Sequence, residues 1–114
     1  MANRTAVRLS NRIYEAVNIL ISNGEIRNPG LGRFVSISDV KLAADNGYAT
    51  LYVSSLDEQT LLKSVDALNS ASPFIQSRLA GILKTKKTPK LRFVPDQTEI
   101  NALKVDEILK ETGI

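Results

Sequence analysis

The sequence predicts an α+β domain with its elements in the order α-β-β-α-α-β-α. First, the spacing of apolar residues changes along the chain between the helical period of three to four and the strand period of two. Second, Asp45-Asn46-Gly47 is a strong hairpin signal, because asparagine and glycine tolerate the positive φ angles of a tight turn. Third, Ser72-Pro73 separates two helical patterns, since proline suits the start of a helix but interrupts its interior.

The first half of the chain predicts a helix, a loop and a hairpin. Apolar residues at helical spacing place the helix over residues 5–22, and the loop over 24–32 is rich in glycine, proline and asparagine. A strand is predicted from residue 34 to about 42. Its apolar residues change parity near Ser38-Asp39, which predicts a β-bulge. Residues 48–54 alternate cleanly and should pair with this strand in the antiparallel direction.

The second half predicts two consecutive helices, a strand and a closing helix. Asp57 can cap a helix, and Ser72 is a good cap for the next one, with the following proline at its first position. The buried sides of these helices are expected to carry Leu61, Leu62, Val65, Leu68, Ile75, Leu79, Ile82 and Leu83. A basic loop over 84–89 leads to a short strand over 90–94, and the closing helix is expected at about 98–112.

Composition sets limits on the function. With 114 residues, of which 43% are hydrophobic and 24% charged, the chain is expected to form one globular domain over residues 1–114. No apolar run approaches the roughly 20 residues that span a bilayer, and the polar, basic start does not look like a signal peptide, so a cytoplasmic location is expected. The chain has no cysteine and no histidine, hence no thiol nucleophile and no imidazole base or ligand. We therefore expect that the protein is not an enzyme and binds neither a metal nor a cofactor.

Charge is segregated along the sequence. The interval between Asp66 and Asp96 has no acidic residue, and its basic residues are Arg78, Lys84, Lys86, Lys87, Lys90 and Arg92. A second basic stripe is formed on the first predicted helix, at four-residue spacing, by Arg4, Arg8 and Arg12. A polyanion-binding face requires segregation of this kind, although solubility is the commoner explanation for any single lysine. Three aromatic residues have the side chain for stacking on bases but more often lie in a core: Tyr48, Tyr52 and Phe74.

Several segments carry a resemblance to a known family. They are Arg12-Ile13 with Glu15 and Ile19-Leu20, Asn28-Pro29-Gly30-Leu31-Gly32, Val35-Ser36-Ile37-Ser38-Asp39-Val40, Tyr48-Ala49-Thr50-Leu51-Tyr52-Val53-Ser54, Ala67-Leu68-Asn69-Ser70-Ala71, Phe74-Ile75-Gln76-Ser77 and Thr88-Pro89-Lys90-Leu91-Arg92-Phe93. In this order and spacing they are specific, and the sequence resembles the ribosome-binding factor A family of bacteria along nearly its whole length. The resemblance implies a type II KH-like fold, in which two helices meet at an angle against a three-stranded sheet that has helices on one face.

The resemblance also implies a site. In place of a GxxG loop the family has an Ala-x-Gly kink between those two helices, and this kink approaches RNA. Here it aligns with Ala71-Ser72-Pro73, so proline stands where the family has glycine. The corresponding loop of the family reads Asp-Pro-Arg-Leu-Gly, and this chain has Asn28 in place of the aspartate and Gly30 in place of the arginine. Arg27 or Arg33 would then supply the positive charge of the missing arginine. With the charge pattern, the expected RNA-binding residues are Arg4, Arg8, Arg12, Arg27, Arg33, Ser70, Ala71, Ser72, Arg78, Lys84, Lys86, Lys87, Lys90 and Arg92.

By resemblance, the protein binds the 30S ribosomal subunit and its 16S rRNA and assists late maturation and rRNA processing, with importance in the cold. The implied partners are the 30S subunit, 16S rRNA, neighbouring ribosomal proteins and a maturation GTPase. No binding to a membrane is expected, and the protein is expected to be a monomer. Two other classes stay open. A generic single-strand RNA-binding KH-like module would also bind short oligonucleotides. A protein-interaction adaptor would keep its partner when Lys84, Lys86 and Lys87 are replaced by glutamate.

Overall fold

Three helices cover one face of a three-stranded mixed sheet in the computed structural model, which describes residues 4–85 and 87–96. The elements are α1 (Arg4–Ser22), β1 (Val35–Leu42), β2 (Tyr48–Ser55), α2 (Glu58–Ser70), α3 (Ser72–Leu83) and β3 (Lys90–Pro95). This confirms the expected α+β class and the order α-β-β-α-α-β. The closing helix expected at about 98–112 lies outside the described residues.

The strands lie in the order β1-β2-β3, with β1 and β2 antiparallel and β2 and β3 parallel. Parallel neighbours need a long crossover, and α2 and α3 provide it. The hairpin between β1 and β2 turns at Asn46, whose φ is 58°, as the Asp-Asn-Gly signal predicts. The predicted bulge is confirmed, because the register of β1 against β2 shifts between Ile37 and Asp39.

The core lies between the sheet and the helices. Each strand turns alternate side chains inward, so that Ile37, Leu51 and Phe93 are all buried to 1% exposure or less. The helices cover them with apolar stripes at helical spacing, namely Ile13, Val17 and Leu20 of α1, Leu61, Val65 and Leu68 of α2, and Ile75, Leu79 and Leu83 of α3. Burying one such side chain stabilises the fold by about 1.5–3 kcal/mol, so these stripes fix where each helix lies.

Two residues expected in the core are exposed, and one cap lies elsewhere. Leu62 is 64% exposed and Ile82 is 45% exposed, because each lies one residue, or about 100°, off the buried stripe of its helix. Asp57 caps α2 as expected, accepting a hydrogen bond from the Gln59 N–H at 3.1 Å. The prediction that Ser72 caps α3 is wrong, since Ala71 is the cap and Ser72 is already helical.

The two edge strands are each held by an asparagine side chain from a helix. In α1, Asn18 Oδ1 accepts from the Ile37 N–H at 2.8 Å, and Asn18 Nδ2 donates to the Ile37 carbonyl at 3.1 Å. In α2, Asn69 makes the same pair of bonds with Phe93, at 2.9 and 2.8 Å. Edge strands expose unpaired backbone groups, and the two asparagines satisfy one residue on each edge.

Candidate nucleic-acid interface

The joint between α2 and α3 is a single residue. Ala71 serves as the C-cap of α2 and the N-cap of α3, with φ −87° and ψ 0°. Because the joint is only one residue long, Ser72 is already the first residue of α3 and lacks the non-helical backbone that a side-chain cap requires. The N–H of Ala71 is bonded to the Ala67 carbonyl at 3.0 Å. Pro73 has no N–H, so the corner presents fewer free backbone donors than a glycine there would allow.

A cleft of about 510 Å³ opens beside this corner. Its lining residues come from the loop after α1 and from the corner, and they are Glu25, Ile26, Arg27, Asn28, Ser70, Ala71 and Phe74. The Phe74 side chain is 46% exposed, so the expectation that this aromatic lies in the core is wrong. An aromatic face beside an arginine in an open cleft is a suitable place for an unstacked base.

An ion pair joins the loop to α3 at this cleft. Arg78 Nη2 lies 2.6 Å from Glu25 Oε1, and the two side chains are 50% and 33% exposed. Arg78 is expected to contact RNA, and the structure gives its guanidinium an acidic partner. Sequence reasoning missed Glu25, because the two residues lie 53 positions apart and no local pattern links them. Arg78 therefore carries less free positive charge than its place in the acid-free interval indicates.

Asn28 fixes the loop on α2. Its Oδ1 accepts from the Gly30 N–H at 2.9 Å, and its Nδ2 donates to the Ala67 carbonyl at 3.4 Å. A carboxylate could accept the first bond but could not donate the second. Further along, the Gly32 N–H donates to the buried Ser64 Oγ at 2.9 Å. The amide at position 28 is thus suited to its local partners.

The basic residues on the helix side follow α3. Arg27 lies in the cleft at the start of α3, Arg78 lies midway, and Lys84 follows its last residue in the left-handed conformation, with φ 53°. Arg12 Nη2 donates to the carbonyls of Ile82 and Leu83 at 3.4 and 3.3 Å, so this guanidinium caps the C-terminal end of α3. Since α3 has 12 residues, these groups spread over about 18 Å.

The other residues expected to bind RNA do not all lie beside α3. Arg8 is exposed one turn before Arg12, and Lys87 is exposed in the loop after α3. Arg33 is exposed next to Gly32, which packs near Thr60 at the start of α2, away from the corner. Arg4 is the first residue of α1, and Lys86 lies outside the described residues. Ser70 is exposed at the end of α2, and Ser72 is partly exposed.

Lys90 and Arg92 lie on the other face of the sheet. In β3 they alternate with the buried Leu91 and Phe93, so their side chains point away from the helices. The acid-free interval of the sequence therefore divides between two surfaces. Tyr48 is 56% exposed on this outer face, against the expectation that it belongs to the core. Sequence reasoning also missed Lys41, because the nearest charged residues along the chain, Asp39 and Asp45, are both acidic.

The described part of the chain contains no helix long and apolar enough to cross a membrane. In the same residues no three acidic side chains gather as metal ligands would. A chain in the order α-β-β-α-α-β, with two helices meeting at a corner under a three-stranded sheet, is a type II KH-like domain. The sequence model of the family "Ribosome-binding factor A" matches residues 5–109, and the chain belongs to this family.

Individual relatives agree with this assignment. Ribosome-binding factor A of Magnetococcus marinus is 34% identical over 102 residues, which cover 90% of this chain and 83% of the relative. Ribosome-binding factor A of Beutenbergia cavernae is 38% identical over 112 residues, which cover 97% of this chain and 69% of the relative. The solution NMR structure of a Thermotoga maritima protein matches with a TM-score of 0.70 at 28% identity, over 84% of this chain and 91% of that one. The crystal structure of ribosome-binding factor A from Thermus thermophilus matches with a TM-score of 0.66 at 23% identity, over 79% of this chain and 94% of that one. This likeness supports the fold.

Proposed function

We propose that this protein binds the 30S ribosomal subunit in the cytoplasm, contacts its 16S rRNA and assists late maturation and rRNA processing, including in the cold. Membership of the ribosome-binding factor A family is the observation that carries the proposal. A homology model of the Thermus thermophilus ribosome binding factor A was fitted into a cryo-EM map of a 30S complex of that protein. It matches this chain with a TM-score of 0.58 at 21% identity, over 85% of this chain and 97% of that one.

The basic residues along α3 supply the contacts. Arg12, Lys84 and Lys87 are exposed near the C-terminal end of this helix, and Arg8 adds a charge one turn along α1. Arg4 and Lys86, close to them in sequence, complete the proposed set. Phosphate contacts orient a protein on RNA without reading the bases, so recognition of the folded rRNA shape is expected. No covalent step is required of any residue.

The corner and its cleft would receive the sugar-phosphate backbone or one unstacked base. Ser70 and Ser72 offer hydroxyl groups there, and Arg27 and Phe74 lie at the cleft. Because Pro73 removes one backbone donor, these contacts depend on side chains more than a glycine corner would. Ribosomal proteins next to the site and a maturation GTPase are the further proposed partners, and the free protein is a monomer.

A pelleting assay with purified 30S subunits tests the proposal. The Lys84/Lys86/Lys87→Glu variant is compared with Lys63/Lys104/Lys110→Glu, which changes the net charge equally at positions outside the proposed contacts. We expect the first variant to lose binding and the control to pellet like the unaltered protein. Equal loss in both variants would show that only overall charge matters. Full binding by the first variant would contradict the α3 interface, and no pelleting of the unaltered protein would contradict the function.

A further inference from the structure

We propose that the face of the sheet opposite the three described helices is a second binding surface, which takes single-stranded RNA by stacking its bases on tyrosines and neutralising its phosphates with lysine and arginine. This outer basic face consists of Lys41, Tyr48, Thr50, Tyr52, Lys90 and Arg92. It lies on the opposite side of the sheet from the helices, so it is separate from the proposed 30S contacts along α3 and stands or falls independently of them.

Strand register gathers these side chains. Lys41 of β1 pairs with Thr50 of β2, and Thr50 pairs with Arg92 of β3, so the three lie in one row across the sheet. Neighbouring strands are about 4.8 Å apart, which places the Cα atoms of Lys41 and Arg92 about 10 Å from each other. The next row contains Tyr48 and Lys90, which are also register partners. All of them point outward, because the residues between them are buried.

The two tyrosines are arranged for stacking. Tyr48 is 56% exposed and Tyr52 is partly exposed, on the same strand and the same face. Four residues of extended chain separate them by about 13 Å, so each ring can take a different base. Lys90 Nζ lies 5.9 Å from the centre of the Tyr48 ring, and Lys41 Nζ lies 5.5 Å from that of Tyr52. Each ring therefore has a cation over one of its faces, and in the proposal the base stacks on the opposite face while the cation meets its phosphate.

Charge favours a polyanion over a protein partner. Within the described residues the only ion pair is Arg78–Glu25, so Lys41, Lys90 and Arg92 have no carboxylate partner there. One carboxylate borders this face, because Asp39 is the register partner of Tyr52, and its Oδ1 accepts from the Val40 N–H at 2.8 Å. Asp96 lies further along the sheet, where it accepts from Ser38 Oγ at 2.6 Å. The aliphatic Val94, the register partner of Tyr52, borders this face and is only partly exposed. Stacking on aromatics with interleaved basic residues is how sheets bind single strands.

Tyrosine fluorescence provides a direct measurement, because the chain has no tryptophan and only three tyrosines. A Tyr14→Phe background removes the tyrosine of α1 and leaves the two of the outer basic face. Titration with an unstructured 12-nucleotide RNA should quench the remaining emission, and anisotropy of a labelled RNA gives the Kd. Replacing Tyr48 or Tyr52 with leucine should weaken binding by roughly 5- to 150-fold each, while phenylalanine at either position should retain it.

Charge variants complete the test. Lys41/Lys90/Arg92→Gln should make the slope of log affinity against log salt about 2 units less negative, and Lys84/Lys86/Lys87→Glu should leave quenching intact. Circular dichroism verifies that each variant is folded. Unquenched tyrosines in the presence of bound RNA, or equal binding by the leucine and phenylalanine variants, would overturn the proposal. Because the probe is a short RNA, failure here would leave 30S pelleting unaffected, and failure of 30S pelleting would leave this result standing.

Discussion

Replacing Asn69 with alanine removes both hydrogen bonds that join α2 to the edge strand β3. Asn69 Nδ2 donates to the Phe93 carbonyl at 2.8 Å, and the Phe93 N–H donates to Asn69 Oδ1 at 2.9 Å. No other side chain in the described residues bonds to these two backbone groups. The substitution should therefore loosen β3 at its centre, with the corner at Ala71 only two residues further along the chain.

The magnitude follows from the two bonds. Each contributes about 0.5–1.5 kcal/mol, so we expect the free energy of unfolding to fall by about 2 kcal/mol. For a domain of this size that corresponds to a melting temperature lower by roughly 8 °C. Asn69→Asp should cost more than alanine, because a carboxylate keeps the bond from the Phe93 N–H but faces the Phe93 carbonyl without a proton to donate.

Urea denaturation followed by circular dichroism measures the change, with Asn11→Ala as the control because Asn11 is exposed on α1. Hydrogen exchange adds a local readout, since the Phe93 amide should lose protection more than other β3 amides. An Asn69→Ala variant as stable as Asn11→Ala, or one with a Phe93 amide protected as before, would refute the role of this side chain in holding the edge.

Two further changes test the supports of the site. Ser64→Ala leaves the Gly32 N–H without its acceptor and should lower the free energy of unfolding by about 1–3 kcal/mol; the exposed Ser77→Ala is its control, and equal stability of the two would contradict the bond. Arg12→Ala removes the cation that caps α3 and should lower the melting temperature by several degrees, corresponding to about 1 kcal/mol, whereas Arg8→Ala should not. Thermal unfolding measures the melting temperatures of the two variants, and an equal decrease in both would mean that the Arg12 cap contributes nothing specific.

Much of the fold could be predicted because its signals are local. The Asp-Asn-Gly turn, the parity change at Ser38-Asp39 and the aspartate before α2 each depend on a few neighbouring residues. The errors arose where a neighbour in space decides the outcome. Ser72 has the chemistry of a cap, but the one-residue joint at Ala71 keeps the backbone helical. Leu62 and Ile82 fit a broad apolar stripe, but the sheet covers only a narrower one.

The site was less predictable than the fold, because its surfaces combine distant segments. Alternation along β3 already places Lys90 and Arg92 opposite Leu91, yet only the packing of α3 shows that this face differs from that of Arg78. The partnership of Arg78 with Glu25, and of Lys41 with Tyr52, likewise requires the three-dimensional structure. Charge counting along the chain therefore merged two surfaces into one.

The measurement that tests the central claim most directly is the salt dependence of 30S binding at constant magnesium. If about four phosphates are neutralised along α3, log affinity should fall against log salt with a slope of about −3 to −4. The Lys84/Lys87→Gln variant removes two of these contacts, so its slope should be less negative by about 1.8. An unchanged slope in the variant, or 30S binding that does not respond to salt, would contradict docking through these basic residues.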